Sequence, residues 1–164
     1  MQTNPPRVIA IDPGYERMGV AILEKTTRGE ILLYSDCIIT SRTLSFPDRL
    51  GHISEALRSL IALWQPEVCA TEKLYFSNNQ KTAMRVAEVR GVIIEVARSC
   101  GLAIAEYNPH EVKVAVTGYG QAGKAQVATM VRRLVVIHQP PRYDDEYDAI
   151  AIGLTHLASK KIST

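Results

Sequence analysis

The chain has 164 residues, of which 46% are hydrophobic and 22% are charged. This composition is typical of a globular protein with a packed core, and it excludes the collagen-like and disordered classes. The length suits one domain, so residues 1–164 are predicted to form a single domain. The net charge is only +2, so a surface that binds a polyanion must come from local clustering of basic residues.

The cysteines and the first residues bear on the cellular compartment. Cys37, Cys69 and Cys100 are odd in number and widely spaced, so we expect buried, reduced thiols and neither a disulfide framework nor a zinc site. The first residues lack the charged and apolar regions of a signal peptide, and no apolar run approaches the roughly 18 residues that a membrane span needs. We therefore expect a cytoplasmic protein with no membrane partner.

The first part of the chain predicts three strands and a helix. Residues 7–11 form a β-branched run that ends in an acidic Pro-Gly turn. Residues 18–25 and 31–40 are further strand-like runs separated by a turn-like segment, which predicts an antiparallel meander. Ser45 is predicted to cap a helix whose apolar residues follow a 3.6-residue period, and Pro66 is predicted to end it.

The second part of the chain alternates between short apolar runs and helical patterns. The predicted elements are strands at residues 68–71 and 102–106, a helix at about 82–99 capped by Gly101, a helix beginning at Pro109, and helices at about 124–136 and 145–160. The resulting order is three strands, a helix, a strand, a helix, a strand and then helices. This order predicts an α/β protein with a ribonuclease H-like fold, in which a mixed five-stranded sheet is flanked by helices.

Acidic residues stand where this fold would place a site. Asp12 ends the first predicted strand and Glu72 follows the fourth, and such strand ends can lie side by side at the rim of an open α/β sheet. Asp145 and Asp148 are three residues apart at the start of the last helix, so they lie on one face of a single turn. Clustered carboxylates repel one another unless cations bind among them, and Mg²⁺ prefers such oxygen ligands. Two ions about 3.5–4 Å apart would support phosphodiester hydrolysis.

Each acidic residue also has a purely structural interpretation. Asp12 before Pro-Gly is a common turn residue, and Asp145 or Asp148 would be favourable at the positive end of a helix. Glu72 could pair with a Lys or Arg, since an unpaired carboxylate is costly to bury after an apolar strand. The residues by themselves leave both interpretations open.

Motifs spread over nearly the whole chain resemble those of the RuvC family of Holliday junction resolvases. They are IAIDPG at residues 9–14, GVA at 19–21, Glu72 followed by LYF at 74–76, RG at 90–91, VTGYG at 116–120, and DEYDAIA at 145–151 with His156. The resemblance implies that four acidic positions bind two Mg²⁺ ions, and the matching residues here are Asp12, Glu72, Asp145 and Asp148. Mn²⁺ is also compatible with carboxylate ligands. Asp144 competes for the third ligand position, but the spacing to Asp148 favours Asp145.

The resemblance further implies an activity and partners. A homodimer would place two active sites on opposite strands of four-way junction DNA and nick both symmetrically, leaving 5′-phosphate ends, in homologous recombination and repair. The family also works with a branch-migration helicase.

Basic and aromatic residues are candidates for DNA contacts. Lys113 and Lys124 match family positions near the scissile phosphate. Tyr75 lies on a loop after Glu72, where an aromatic ring could stack on a splayed base. Five more basic residues could extend this surface, although such charges are usually solvated helix faces: Lys81, Arg85, Arg90, Arg132 and Arg133.

Parts of the sequence are also compatible with other functions. Residues 118–124 fit the start of a P-loop, but Ala125 breaks the motif and Pro109 predicts a helix where a P-loop needs a strand, so the match is interpreted as chance. A YqgF-like RNA nuclease of the same fold is the nearest alternative. A catalytically silent module that binds branched DNA is another, although a pure binder would gain nothing from four carboxylates that repel phosphate.

Overall fold

The chain forms strands and helices in the order predicted from its sequence. The structure is a computed structural model, which describes residues 6–73 and 80–159. Within those ranges the strands are β1 (Arg7–Asp12), β2 (Arg17–Thr26), β3 (Gly29–Ile39), β4 (Val68–Glu72) and β5 (Ala103–Tyr107). The helices are α1 (Phe46–Trp64), α2 (Gln80–Ser99), α3 (Pro109–Thr117), α4 (Lys124–Leu134) and α5 (Asp144–Ser159).

The strands form one mixed sheet in the order β3-β2-β1-β4-β5. The meander β1-β2-β3 is antiparallel, whereas β4 and β5 run parallel to β1 and to each other. Each parallel connection passes through a helix, because two parallel neighbours cannot be joined by a tight turn. The predicted α/β fold with a mixed five-stranded sheet is therefore confirmed.

Helices cover both faces of the sheet, and the residues of β1 show how the two layers divide. Val8 and Ala10 pack in a core layer that contains residues of α3, α4 and α5. Ile9 and Ile11 pack in a second layer with residues of α1 and α2. A strand that is buried on both faces reads as a continuous apolar run, which is why residues 8–11 show no alternation with polar residues.

Glycines allow α5 to lie unusually close to the sheet. A Cβ atom at Gly153 would overlap the Leu23 side chain and would lie 3.2 Å from the Cβ of Ala10. At the start of α5, a Cβ atom at Gly19 would overlap the backbone carbonyl oxygen of Asp145. Gly19 is the cross-strand partner of Asp12, so the first turn of α5 is held directly beside the end of β1.

The ends of two helices can be compared with their predictions. Helix α4 ends at Leu134, two residues earlier than predicted, because Val135 adopts an extended conformation (φ −131°, ψ 142°). The end of helix α1 is as predicted: its last residue is Trp64, and Gln65, just before Pro66, takes a left-handed conformation and donates its N–H to the Ile61 carbonyl. Boundaries of this kind depend on how the ends of a helix pack.

The prediction of three buried cysteines is wrong for one of them. Cys37 and Cys69 are buried in the sheet, as expected. Cys100 is exposed, because it lies in the turn after α2, where the apolar residue that enters the core is Leu102. All three are free thiols.

No helix in the described residues is both long enough and apolar enough to pass through a membrane.

Candidate active site

Asp12 and Glu72 lie at the same end of neighbouring strands. Strands β1 and β4 are parallel with Ile11 opposite Thr71, so the next residue of each strand is an acid at the edge of the sheet. Side chains alternate along a strand, and both acids therefore point to the face that α5 covers. The strand register thus brings together two carboxylates that are 60 residues apart in the sequence.

A cleft of about 480 Å³ opens in front of these two acids. Its polar lining is Asp12, Glu72, Asp148, Lys113 and Lys124, and most of its other lining residues are apolar side chains of α3, α4 and α5. Three of the four predicted acids therefore face one cavity, together with both lysines expected near the scissile phosphate.

Asp145 does not line this cleft but acts on Asp12 through its charge, and its acidic neighbours point elsewhere. Its charge is among those that raise the pKa of Asp12, whereas Asp144 is exposed and is not among them. Glu146 is buried and faces β3, where it accepts hydrogen bonds from the Ser35 hydroxyl at 2.6 Å and from the N–H groups of Arg142 and Tyr143 at 2.8 and 3.1 Å. Successive helical residues are rotated by about 100°, which separates the three acids.

The basic side chains near the acidic cluster do not fully offset the burial and mutual repulsion of its carboxylates. Burial raises the pKa of Asp12 to about 8, and the charges of Asp148, Glu72 and Asp145 add to the effect. Burial and the charge of Asp148 likewise raise the pKa of Glu72, although Lys113 and Lys124 act in the opposite direction. A divalent cation among these carboxylates would relieve the repulsion that raises these pKa values.

Two of the carboxylates are paired with basic side chains. The Lys124 ammonium lies 3.0 Å from Oδ2 of Asp148, and this hydrogen bond raises the pKa of Lys124. Nε of Arg17 lies 3.1 Å from Oδ2 of Asp145. As the side chains stand, no three His, Cys, Asp or Glu residues of the described chain form a ready metal-binding group. The donor set of four carboxylates fits hard divalent ions, but the cage is not preformed.

A buried thiol also contacts Asp145. Cys37 on β3 lies with its sulfur 4.0 Å from Oδ2 of Asp145, the oxygen that Arg17 contacts. Burial raises the pKa of Cys37 to about 12, with a smaller contribution from the charge of Asp145, so the group stays a thiol and its S–H points a weak donor at the carboxylate.

The loop after Asp12 is fixed by a buried arginine that the sequence analysis missed. Arg49 of α1 donates to the Tyr15 carbonyl oxygen and to the Thr40 hydroxyl, both at 2.8 Å, and its guanidinium lies 5.3 Å from the centre of the Tyr15 ring. Arg85, a predicted DNA contact, stacks on the same ring at 5.4 Å and on Phe46 at 5.2 Å. Arg85 is therefore held near the loop that follows Asp12.

The remaining basic candidates fall into different environments. Arg90 forms an ion pair with Glu106, and Arg132 donates to the Tyr147 hydroxyl at 3.0 Å, so both have structural partners. Lys81 and Arg133 are exposed. Tyr75 lies outside the described residues. The glycine-rich loop that resembles a P-loop follows helix α3 and not a strand, which agrees with its interpretation as a chance match.

The raised pKa of Asp12 predicts how the stability of the metal-free protein depends on pH. Folding raises this pKa from 3.8 to about 8, so between these values the folded state holds a proton that the unfolded chain releases. The free energy of unfolding should therefore fall as the pH rises through this window, by at most about 1.4 kcal/mol per pH unit for this one group. Urea unfolding in EDTA at pH 5 and pH 8 measures the loss.

Matched variants isolate the contribution of Asp12 to that loss. Asp12→Asn has no carboxyl to titrate, so its stability should fall less between pH 5 and pH 8 than that of the native protein. Asp144→Asn, which changes an exposed acid, should fall as the native protein does. Equal losses in all three proteins would contradict the proposed environment of Asp12.

The chain has a mixed sheet with this strand order, clustered acids at the edge of the sheet and lysines facing them. These features are those of metal-dependent nucleases with a ribonuclease H-like fold. The family model described as crossover junction endodeoxyribonuclease RuvC matches residues 8–156. The chain is 42% identical over 154 residues to the RuvC protein of Caldicellulosiruptor saccharolyticus, which covers 93% of each chain. It therefore belongs to the RuvC family of crossover junction endodeoxyribonucleases.

Solved structures agree with this assignment. The structure of T. thermophilus RuvC in complex with a Holliday junction substrate superposes with a TM-score of 0.86 at 31% identity, covering 93% of both chains. The yeast mitochondrial Holliday junction resolvase Ydc2 superposes with a TM-score of 0.68, covering 93% of this chain and 79% of that one. At 13% identity the second similarity supports the fold alone. The ribonuclease H-like prediction is confirmed by the first.

Proposed function

We propose that this protein resolves four-way DNA junctions in homologous recombination and repair, by metal-dependent hydrolysis that nicks two strands symmetrically. The observation that carries the proposal is the convergence of four carboxylates and two lysines at one end of the sheet, in a chain that belongs to the RuvC family. The T. thermophilus relative, whose structure contains a Holliday junction substrate, supports the choice of DNA substrate.

The proposed metal ligands are Asp12, Glu72, Asp145 and Asp148, and the proposed occupants are two Mg²⁺ ions, with Mn²⁺ also compatible. When bound, such a pair of ions activates water and stabilises the leaving oxygen of a phosphodiester. The sheet supplies Asp12 and Glu72 from adjacent strand ends, and one turn of α5 supplies the other two. Rigid elements thus fix the backbone of all four proposed ligands, and the side chains of Asp145 and Asp148 would exchange their basic partners for the metal.

Basic residues around the cleft are proposed to bind the DNA backbone. Lys113 and Lys124 line the cleft beside the carboxylates, so a phosphate that enters it meets both ammonium groups. Arg85 is proposed to extend this surface from the start of α2, and Tyr75 is proposed to stack on a base that is splayed at the crossover. Binding through phosphates makes the affinity fall as the salt concentration rises.

The proposed assembly is a homodimer. A two-fold substrate is matched best by an isologous dimer, because the same two surfaces then present one active site to each of two strands. Helix α2 exposes Met84, Ala87 and Gly91 at helical spacing, a small and apolar set that would suit a partner subunit.

A branch-migration helicase is the proposed further partner. The chain is proposed to act as a single domain, residues 1–164, in the cytoplasm.

The deciding experiment is cleavage of a synthetic four-way DNA junction in Mg²⁺, with linear duplex DNA and structured RNA as parallel substrates. The native protein should give paired, symmetric nicks with 5′-phosphate ends on the junction alone. Asp148→Asn should lose the nicks yet still bind the junction, because it removes a ligand charge and leaves the basic rim in place. Binding is recorded in parallel by gel shift.

Other outcomes identify the alternatives. Cleavage of RNA without cleavage of the junction would instead support a YqgF-like RNA nuclease. Junction binding without cleavage by the native protein or the variant would support a catalytically silent module.

A further inference from the structure

Arg17, the first residue of β2, is placed at the edge of the acidic cluster. Its Nε lies 3.1 Å from Oδ2 of Asp145, and its guanidinium lies 5.6 Å from the centre of the Tyr143 ring. The side chain of Arg17 is 51% exposed, whereas that of Asp145 is 19% exposed. The cation is therefore open to solvent on one side and covers an oxygen of a proposed metal ligand on the other.

The contacts of Arg17 hold it in place without burying it. Tyr143 immediately precedes α5, so the ring and the carboxylate that the guanidinium contacts belong to the same short segment. An ion pair with one partner half exposed contributes little to the stability of a fold, because water competes well for both charges. The guanidinium can therefore leave Asp145 at small cost to the protein. The ion pair therefore matters for where it places the guanidinium, beside a proposed metal ligand, and not for the stability it adds.

A guanidinium at this position affects any divalent ion that binds Asp145. The ion would need lone pairs of the carboxylate that Arg17 contacts, and its charge would be repelled by the cation beside it. A DNA phosphate near the cleft offers the guanidinium an alternative anionic partner with oxygens that suit its forked donors. DNA and metal would then each favour the binding of the other, since each removes an obstacle to it.

We propose that Arg17 is a positioning residue that occupies Asp145 in the DNA-free protein and transfers to a backbone phosphate when DNA binds, which opens Asp145 to the metal. The proposal rests on the proposed function, because it takes Asp145 as a metal ligand and DNA as the substrate. The role proposed for Lys124 is different: its ion pair with Asp148 lies inside the cleft, and it is proposed to bind the substrate directly.

The test begins with metal binding by the protein alone. Mn²⁺ is titrated into the DNA-free native protein, Arg17→Ala, Arg17→Lys and Arg42→Ala, and free Mn²⁺ is followed by electron paramagnetic resonance. Arg17→Ala should bind Mn²⁺ about three- to fivefold more tightly than the native protein, the range expected for losing one exposed ion pair. Arg17→Lys keeps the charge and should stay near the native affinity. Arg42 forms an exposed ion pair with Glu16 and is not among the charges that act on Asp12 or Glu72, so Arg42→Ala should bind Mn²⁺ as the native protein does.

The second measurement is junction binding in EDTA, where no cleavage can occur. If Arg17 transfers to a phosphate, Arg17→Ala should bind the junction more weakly and should reduce the slope of log affinity against log salt by about 1. A residue that served only to stabilise the fold would change neither the Mn²⁺ affinity nor this slope. Thermal unfolding of each variant verifies that all of them are folded.

The outcomes separate this inference from the proposed function. An unchanged Mn²⁺ affinity in Arg17→Ala, with metal binding intact in the native protein, would overturn the role of Arg17 alone. An unchanged salt slope would overturn the transfer to phosphate. If neither the native protein nor Arg17→Ala binds Mn²⁺, the proposed metal centre fails and the inference fails with it.

Discussion

Asp145→Asn should reduce junction cleavage by at least about a hundredfold, because the loss of this proposed metal ligand would remove several kcal/mol of transition-state stabilisation. Asp144→Asn should stay within about twofold of the native rate, as is usual for a change at an exposed position away from a site. The difference follows from their directions on α5: the charge of Asp145 acts on Asp12, whereas Asp144 is exposed. Single-turnover cleavage at saturating enzyme measures both.

The third acid of the series provides a control for folding. Glu146→Ala leaves the N–H groups of Arg142 and Tyr143 and the Ser35 hydroxyl without their acceptor in a buried position, which should lower the free energy of unfolding by about 2–4 kcal/mol. Its Mn²⁺ affinity should change less than that of Asp145→Asn in protein that remains folded. For the two neighbouring acids, a loss of cleavage in Asp144→Asn as large as that in Asp145→Asn would contradict the assignment of Asp145 as the third ligand.

Gly19→Ala should damage both the fold and the site. The added Cβ would overlap the carbonyl oxygen of Asp145 and would lie 3.2 Å from the Cβ of the same residue, so the start of α5 must move. Overpacking of this kind costs about 1–3 kcal/mol of stability. A shift of about 1 Å in a catalytic group can cost about a hundredfold in rate, so cleavage should fall to that extent even in the folded fraction.

Gly51→Ala is the matched control for the same chemical change. Gly51 lies in α1, and a Cβ atom there would meet nothing within 4 Å. Alanine is also the better helix former, so this variant should gain about 0.5–1 kcal/mol of stability and keep the native cleavage rate. Urea unfolding and junction cleavage are measured for both variants. Native cleavage by Gly19→Ala would show that the close approach of α5 to β2 does not position Asp145.

Much of the fold was predictable from the sequence, because the decisive signals are local. The apolar run before Asp12, the helical period after Ser45 and the glycine after α2 each specify an element without reference to the rest of the chain. Helix α1, which connects β3 to β4, allows β4 to run parallel to β1. Once those two strands are neighbours, Asp12 and Glu72 must lie together.

The surroundings of the acids were not predictable, because they depend on contacts between distant parts of the chain. Arg17 meets Asp145 only because β2 passes beneath the start of α5, an approach that the glycine at position 19 permits. Arg49 is buried although it belongs to an amphipathic helix, because the backbone carbonyl of Tyr15 needs a donor. Single-sequence patterns contain the identities of these residues but not their partners.

The burial of α5 links the loss of the candidate active site to the unfolding of the whole domain. Every residue from Ala149 to Leu157 is buried between the sheet and the neighbouring helices, and Asp145 and Asp148 occupy the turn that begins this helix. Segments with this many core contacts open only when the whole domain opens. The acids on α5 therefore cannot leave Asp12 and Glu72 through the motion of a surface loop alone. Cleavage competence and the folded state should disappear in one cooperative transition on heating.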